Sequence, residues 1–138
     1  MTEFPLRLER YFFTEQQVIA NPDYEIADVK HIDFLVDASA NRIEGQPGKY
    51  GISAKVELNQ EKSGNAPYFI TITAFGILVI KDGVDPIVAE PHIETSGAQL
   101  LIGVIRERLA EMTARGPWGA LYLDFVPITI KIDSNIAD

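Results

Sequence analysis

A capped amphipathic helix followed by a glycine-proline break is the feature of this sequence that most restricts its fold. Ser96 and Gln99 have the spacing of a capping box, which predicts that the helix begins near residue 96, and Gly116-Pro117 predicts where it ends. Because apolar side chains are more stable out of water, an apolar helix face requires a partner surface. The residues that form this face are Leu100, Leu101, Val104, Ile105, Leu109 and Met112.

Alternation of apolar and polar residues predicts four strands before the helix. They cover about residues 4–19, from residue 32 to a turn at Gly45, residues 50–58 and residues 68–80. In the fourth strand, the face with Tyr68, Ile70 and Ile72 is the more apolar one. A further short strand is predicted at residues 128–132. We therefore expect a single α+β domain spanning residues 1–138: a four-stranded antiparallel sheet with one long helix packed on one face and a short C-terminal strand.

The composition excludes several classes of function. A net charge of -8 opposes binding to nucleic acids or anionic membranes, because phosphate affinity comes from clustered Lys and Arg. The sequence has no cysteine, which excludes disulfides and thiol catalysis, and no apolar run is long enough to insert into a membrane. The first five residues lack the basic and apolar regions of a signal peptide, so we expect a cytoplasmic protein.

No group of residues in the sequence indicates catalysis or a cofactor. His31 and His92 have no metal-ligand spacing, and Ser96 is explained by its predicted capping role. The acidic residues of the loop at 81–91 are expected to be solvated, whereas a catalytic pair needs burial to shift its pKa. We expect neither an enzyme nor a bound metal or cofactor.

Several short motifs of the sequence occur in the order of a known family. The helix ends in Met112-Thr113-Ala114-Arg115-Gly116, and a segment of alternating leucines, residues 121–127, ends in a proline. Residues 50–58 and 68–77 are two strand-like segments, the second with Gly76 before two apolar residues. Together these motifs resemble the SecB export chaperones, whose third and fourth strands are similar to the two segments. The resemblance covers roughly residues 6–127. It implies an α+β chaperone that binds unfolded or partly folded polypeptides.

The aromatic residues of the chain have two possible roles, and the resemblance favours a groove for client polypeptides. Tyr11, Phe12 and Phe13 are consecutive, so at least one ring points away from the side of the strand that packs under the helix. That ring either covers the sheet edge or contributes to a groove for extended apolar segments. In SecB-like proteins the groove lies between the sheet and the segment after the helix. The expected groove residues are Tyr11, Phe12, Phe13, Phe75, Trp118 and Tyr122.

The width of the apolar helix face indicates an oligomer. One sheet face can cover only part of this stripe, and the rest is expected to contact another subunit. Gly103 is consistent with close approach of a second helix and equally with a neutral substitution. The resemblance implies a homotetramer, a dimer of dimers. The expected interface residues are Leu101, Val104, Ile105, Leu109 and Met112.

Two features depart from the export chaperones. The family continues into a second helix and a zinc-binding tail that contacts the translocation motor SecA, whereas this sequence ends at Asp138 without such ligands. Thr71 and Thr73 also stand where the family offers acidic side chains on its outer sheet face. Both differences weaken the expectation of SecA docking.

The leading functional hypothesis is an ATP-independent holding chaperone, either for exported proteins or for one dedicated client such as an antitoxin. Tail-less SecB-like proteins include chaperones of toxin-antitoxin systems, which supports the second alternative. A different class is a small-ligand-binding or enzymatic α+β domain with an enclosed aromatic pocket. A third is a structural subunit whose apolar stripe serves only self-assembly.

Overall fold

The computed structural model describes residues 5–25, 32–123 and 128–134, and its centre is a five-stranded sheet. The strands are β1 (Leu6–Ala20), β2 (Phe34–Arg42), β3 (Lys49–Leu58), β4 (Tyr68–Ile80) and β5 (Ile128–Ser134), in the spatial order β1-β4-β3-β2-β5. The first four pair antiparallel, and β5 runs parallel to β2. The α+β architecture and the antiparallel four-stranded sheet are confirmed, and β5 extends that sheet at the β2 edge.

The core lies on one face of this sheet. Ile72 of β4 and Val56 of β3 are paired neighbours, and both are fully buried, as is Phe34 of β2. Their sequence neighbours on the opposite side of each strand are only partly buried. The two-residue alternation therefore assigned the buried face of β4 correctly, and β2 and β3 show the same period.

The edge strand β1 changes face twice along its length. Leu6 and Leu8 lie on the helix side of the sheet, opposite Ile80 and Leu78. The pairing register shifts between Leu8 and Arg10 and again between Phe13 and Glu15. An irregularity of this kind changes which residues point to each side of a strand. As a result, Tyr11 and Phe13, rather than Arg10 and Phe12, face the helix.

The long helix α3 (Pro91–Thr113) begins five residues earlier than predicted. Ser96 lies inside the helix and is not its N-cap. The helix starts with a proline, which is favourable in a first turn because the missing N–H has no helical partner there. It follows the short helix α2 (Pro86–Ala89), whose cap residue Asp85 accepts a hydrogen bond from the Ile87 amide at 2.9 Å. A second short helix, α1 (Gln60–Ser63), occupies the predicted loop between β3 and β4.

Helix α3 lies close to the sheet because it carries a glycine at the contact. A Cβ atom at Gly97 would lie 3.0 Å from the Leu78 side chain and 3.1 Å from that of Ile52. Gly103, in contrast, has open space around its Cα, and a Cβ there would meet nothing within 4 Å. Within the described residues, no helix combines the length and the hydropathy that crossing a bilayer requires.

Candidate functional site

An open groove separates helix α3 from the edge strand β1. The helix packs mainly over β3 and β4, so the helix side of β1 is left partly uncovered. The groove has a volume of about 260 Å³ and is accessible to solvent. Its lining residues are Tyr11, Phe13 and Gln16 of β1 and Val104, Glu107, Arg108 and Glu111 of α3.

Two aromatic rings form the β1 wall of the groove. Tyr11 pairs with Gly76 and Phe13 with Ala74, so both side chains point to the helix side of the sheet. Their ring centroids are 6.3 Å apart in an edge-to-face arrangement. Tyr11 is 50% exposed, which is high for a large aromatic side chain. This wall offers apolar area that the described part of the protomer does not cover.

Arg108 crosses the groove from α3 to β1. Its Nε donates a hydrogen bond of 2.7 Å to Oε1 of Gln16, and its guanidinium carbon lies 5.9 Å from the centroid of the Phe13 ring. Its Nη1 forms an ion pair of 3.2 Å with Glu111 on the same helix. The helix wall of the groove is therefore charged, whereas the β1 wall is largely aromatic.

Phe12 and Phe75 lie on the opposite, open face of the sheet. Their ring centroids are 5.4 Å apart, and Arg10 places its guanidinium 5.0 Å from the centroid of the Phe12 ring. The Phe75 ring extends over Gly51, where an added Cβ would meet it at 2.9 Å. These two aromatic residues form a separate surface from Tyr11 and Phe13.

Trp118 lies at a third place, beyond the end of β1. Its Nε1 donates a hydrogen bond to the Asn21 carbonyl, and its ring contacts Tyr24 edge to face at 5.0 Å between centroids. Its backbone N–H donates to the Tyr68 hydroxyl at 3.2 Å, and that hydroxyl donates to the Gly119 carbonyl at 2.8 Å. Trp118 therefore attaches the segment after the helix to the end of the sheet.

The six expected groove residues are thus divided among separate surfaces. Tyr11 and Phe13 line the groove, while Phe12 and Phe75 face away from it. Trp118 and the exposed Tyr122 belong to the segment after the helix and are not lining residues. Sequence reasoning missed Gln16, Glu107, Arg108 and Glu111 as groove residues. The available signal was the helical spacing of Arg108 and Glu111 from Val104, a residue of the apolar stripe.

Most of the predicted interface residues are used inside the protomer. Leu101, Ile105 and Leu109 are fully buried against the protomer's own sheet. Because these side chains do not reach the surface of the folded chain, they are not available for contact with a second subunit. Val104 and Met112 are partly exposed, and the neighbouring Leu100 is 37% exposed. An interface on the outer side of α3 would use Leu100 and Met112, whereas Val104 also lines the groove.

A second cavity, also of about 260 Å³, lies between the β2–β3 turn and the start of α3. The Tyr50 hydroxyl donates a hydrogen bond of 2.8 Å to Oε1 of Glu90, which also pairs with Arg42 at 3.1 Å. Burial raises the pKa of Tyr50 above its ordinary value of 10.0, and Glu90 acts in the same direction, whereas Arg42 opposes them. This arrangement joins the helix start to the sheet.

Metal-binding geometry is not found in the described ranges, which contain no group of three or more His, Cys, Asp and Glu side chains placed around a possible ion. His31 lies outside the described residues. His92 is on the exposed first turn of α3.

No protein-family model matches this chain, and no curated protein sequence matches it. Among solved structures, it is similar to the SecB-like chaperone Rv1957 of Mycobacterium tuberculosis, solved in complex with a ChAD peptide from the Rv1956 HigA1 antitoxin. The TM-score is 0.65 at 12% identity, over 88% of this chain and 91% of that one. A protein of unknown function from Streptococcus agalactiae is similar with a TM-score of 0.51 at 14% identity, over 90% of this chain and 100% of the other. The chain has a SecB-like fold.

Proposed function

We propose that this protein is a holding chaperone that binds extended apolar segments of unfolded or partly folded polypeptides in the groove between β1 and α3. The observation that carries the proposal is the aromatic wall of the exposed Tyr11 and the partly buried Phe13 beside a helix, in an open groove. Aromatic rings supply large contact area at a small cost in side-chain entropy. Binding such a segment keeps it from aggregating or folding too early.

The similar solved structure supports one client class. The similar Rv1957 structure contains a peptide from an antitoxin, and this supports a dedicated client of the antitoxin type for the present protein. Holding precursor proteins for export is the alternative role for a chaperone with a SecB-like fold. We favour the dedicated client, because the acidic residues expected for motor docking are replaced by Thr71 and Thr73 on the open face of β4.

The proposed chaperone works in the cytoplasm as a homotetramer and without ATP. Client release then depends on transfer to the next partner rather than on nucleotide hydrolysis. One groove of about 260 Å³ holds only a short stretch of client. Several grooves in one assembly would hold several stretches of the same client, and each linked contact raises the effective concentration for the next one.

Exposure of the rings favours a groove over an enclosed small-ligand pocket. A pocket for a small molecule buries most of the ligand surface and therefore the aromatic residues around it. Here Tyr11 is 50% exposed, and Phe13 beside it is only partly buried. This exposure is what a surface for polypeptide segments requires.

Light scattering of a refolding client tests the proposed function. An unfolded client protein is diluted into buffer with and without this protein at equal molar amounts of client and tetramer, in the absence of nucleotide. We expect slower aggregation, with no further effect of added ATP. An unrelated acidic protein at the same mass concentration is the control. An unchanged scattering curve would contradict the proposal.

A further inference from the structure

We infer that Arg108 covers the Phe13 ring of the open client groove in the free protein and must be displaced from that ring when a client segment binds. This inference rests on the proposed function and identifies a specificity-determining residue within that groove. The structural basis is the crossing position of Arg108, which starts on α3 and ends on β1.

Three contacts hold the guanidinium across the groove. Gln16 on β1 accepts its Nε hydrogen bond at 2.7 Å, the Phe13 ring lies below it at 5.9 Å, and Glu111 pairs with it at 3.2 Å. The first two contacts connect different elements of the fold. The third contact is within α3 and does not attach the side chain to β1.

The Phe13 ring is the surface for which Arg108 and a client compete. A guanidinium over an aromatic face occupies the area that an apolar client side chain would cover. Only a client side chain that replaces this contact with at least equal area binds well. Small or polar client residues do not compensate for the lost contacts, so Arg108 selects for bulky apolar residues at this position.

The contacts of Arg108 with Gln16 and Phe13, here called the bridge, are weak enough to be broken by a client. The Arg108 side chain is 39% exposed, and exposed ion pairs and cation–π contacts contribute little because water competes for the charges. The guanidinium also remains charged and solvated after it leaves β1. Displacement therefore costs far less than breaking a buried pair, which permits reversible opening.

Two variants of the full-length protein remove the bridge in different ways. Arg108→Ala removes the crossing side chain, and Gln16→Ala removes its acceptor on β1 without a change in net charge. Arg115→Ala is the matched control, because it has the same charge change at an exposed position beyond the helix end. The probes are the neutral dye Nile red and a labelled uncharged peptide with alternating phenylalanine and serine.

We expect both bridge variants to bind the peptide and the dye about three- to tenfold more tightly than the wild type, which corresponds to the loss of one weak exposed contact. Arg115→Ala should bind like the wild type. Unchanged or weaker binding by Arg108→Ala and Gln16→Ala would overturn the inference. Unchanged binding would mean that Arg108 does not affect client binding, and weaker binding would mean that Arg108 itself contacts the client. Nile red reports access to the groove even if the wild type fails to slow client aggregation, so the two proposals fail separately.

Discussion

The indole Nε1 of Trp118 donates a hydrogen bond of 3.0 Å to the backbone carbonyl of Asn21, which follows the last residue of β1. The segment after the helix is thereby attached to the end of β1. The hydroxyl of Tyr68, at the start of β4, accepts a hydrogen bond from the Trp118 backbone N–H and donates one to the Gly119 carbonyl. A Cβ at Gly116 would collide with the Tyr68 ring, so the segment also requires a glycine there.

Replacing Tyr68 by phenylalanine should loosen this attachment. The buried hydroxyl is an acceptor for Trp118 and a donor to Gly119, and its removal leaves the Gly119 carbonyl without that donor. We expect a loss of about 1–3 kcal/mol in the free energy of unfolding, measured by urea titration. Trp118 is the only tryptophan in the sequence, so its emission should also shift to longer wavelength. Tyr11→Phe, at an exposed ring, is the control, and equal losses in both variants would contradict this account.

Two glycines of α3 should respond in opposite directions to alanine. Gly97→Ala places a methyl group 3.0 Å from Leu78 and 3.1 Å from Ile52, and both side chains are buried and held by their neighbours. Overpacking of about 1–3 kcal/mol should exceed the helix-propensity gain of about 1 kcal/mol, so the variant should be less stable. Gly103→Ala meets open space and should be more stable than the wild type. Thermal unfolding measures both. A destabilised Gly103→Ala together with a reduced assembly mass would instead indicate that a second subunit packs on Gly103.

Oligomer formation through the outer side of α3 can be separated from folding of the protomer. Leu100→Asp changes a partly exposed side chain, so it should dissociate the assembly and leave the fold intact. Ile105→Asp should lower the free energy of unfolding of the protomer by about 3–5 kcal/mol, because the carboxylate would be buried without a partner. Light scattering after size exclusion gives the mass, and circular dichroism gives the fold. The wild type should have four times the 15.3 kDa mass of one chain. A wild-type mass of one chain would rule out the tetramer.

The Tyr50–Glu90 contact should make stability fall above pH 10. Burial and Glu90 raise the pKa of Tyr50 above 10.0, so the unfolded chain loses this proton first as the pH rises. The stabilisation is complete below pH 10 and is lost as the pH passes through the higher pKa of the folded state. Tyr50→Phe should be less stable than the wild type at pH 7, by about 1 kcal/mol for the lost hydrogen bond. The difference between the two proteins in urea titrations should shrink above pH 10. A difference that stays constant from pH 7 to 11 would contradict this assignment.

Strand alternation made most of the sheet predictable. β4 has the predicted bounds, and its buried face is the one with Tyr68, Ile70 and Ile72, because a regular strand keeps a two-residue period. The start of α3 was predicted wrongly. Asp85 and Pro91 each fit a helix start as well as a turn. The capping-box spacing at Ser96 indicates another start, and the sequence does not show which of these starts the chain uses.

The candidate site was harder to predict than the fold. Without the irregularity between Leu8 and Arg10, simple alternation would place Phe12 on the same face as Leu8. The irregularity instead brings Tyr11 and Phe13 to the helix side, and no residue in the sequence marks it. The partnership of Arg108 with Gln16 depends on which strand lies beside the helix. That arrangement is set by the order of strands in the sheet, which local sequence patterns do not determine.

The adjacent residues Tyr11 and Phe12 provide the most direct test of the groove. Both rings are exposed on the same strand, but Tyr11 lines the groove and Phe12 lies on the open face. The measurement is fluorescence anisotropy of a labelled, permanently unfolded polypeptide titrated with the wild type, Tyr11→Ser and Phe12→Ser. We expect Tyr11→Ser to weaken binding about tenfold, since it removes most of one aromatic contact, and Phe12→Ser to bind like the wild type. Equal loss in both variants, or a loss only in Phe12→Ser, would contradict the assignment of client binding to the groove between β1 and α3.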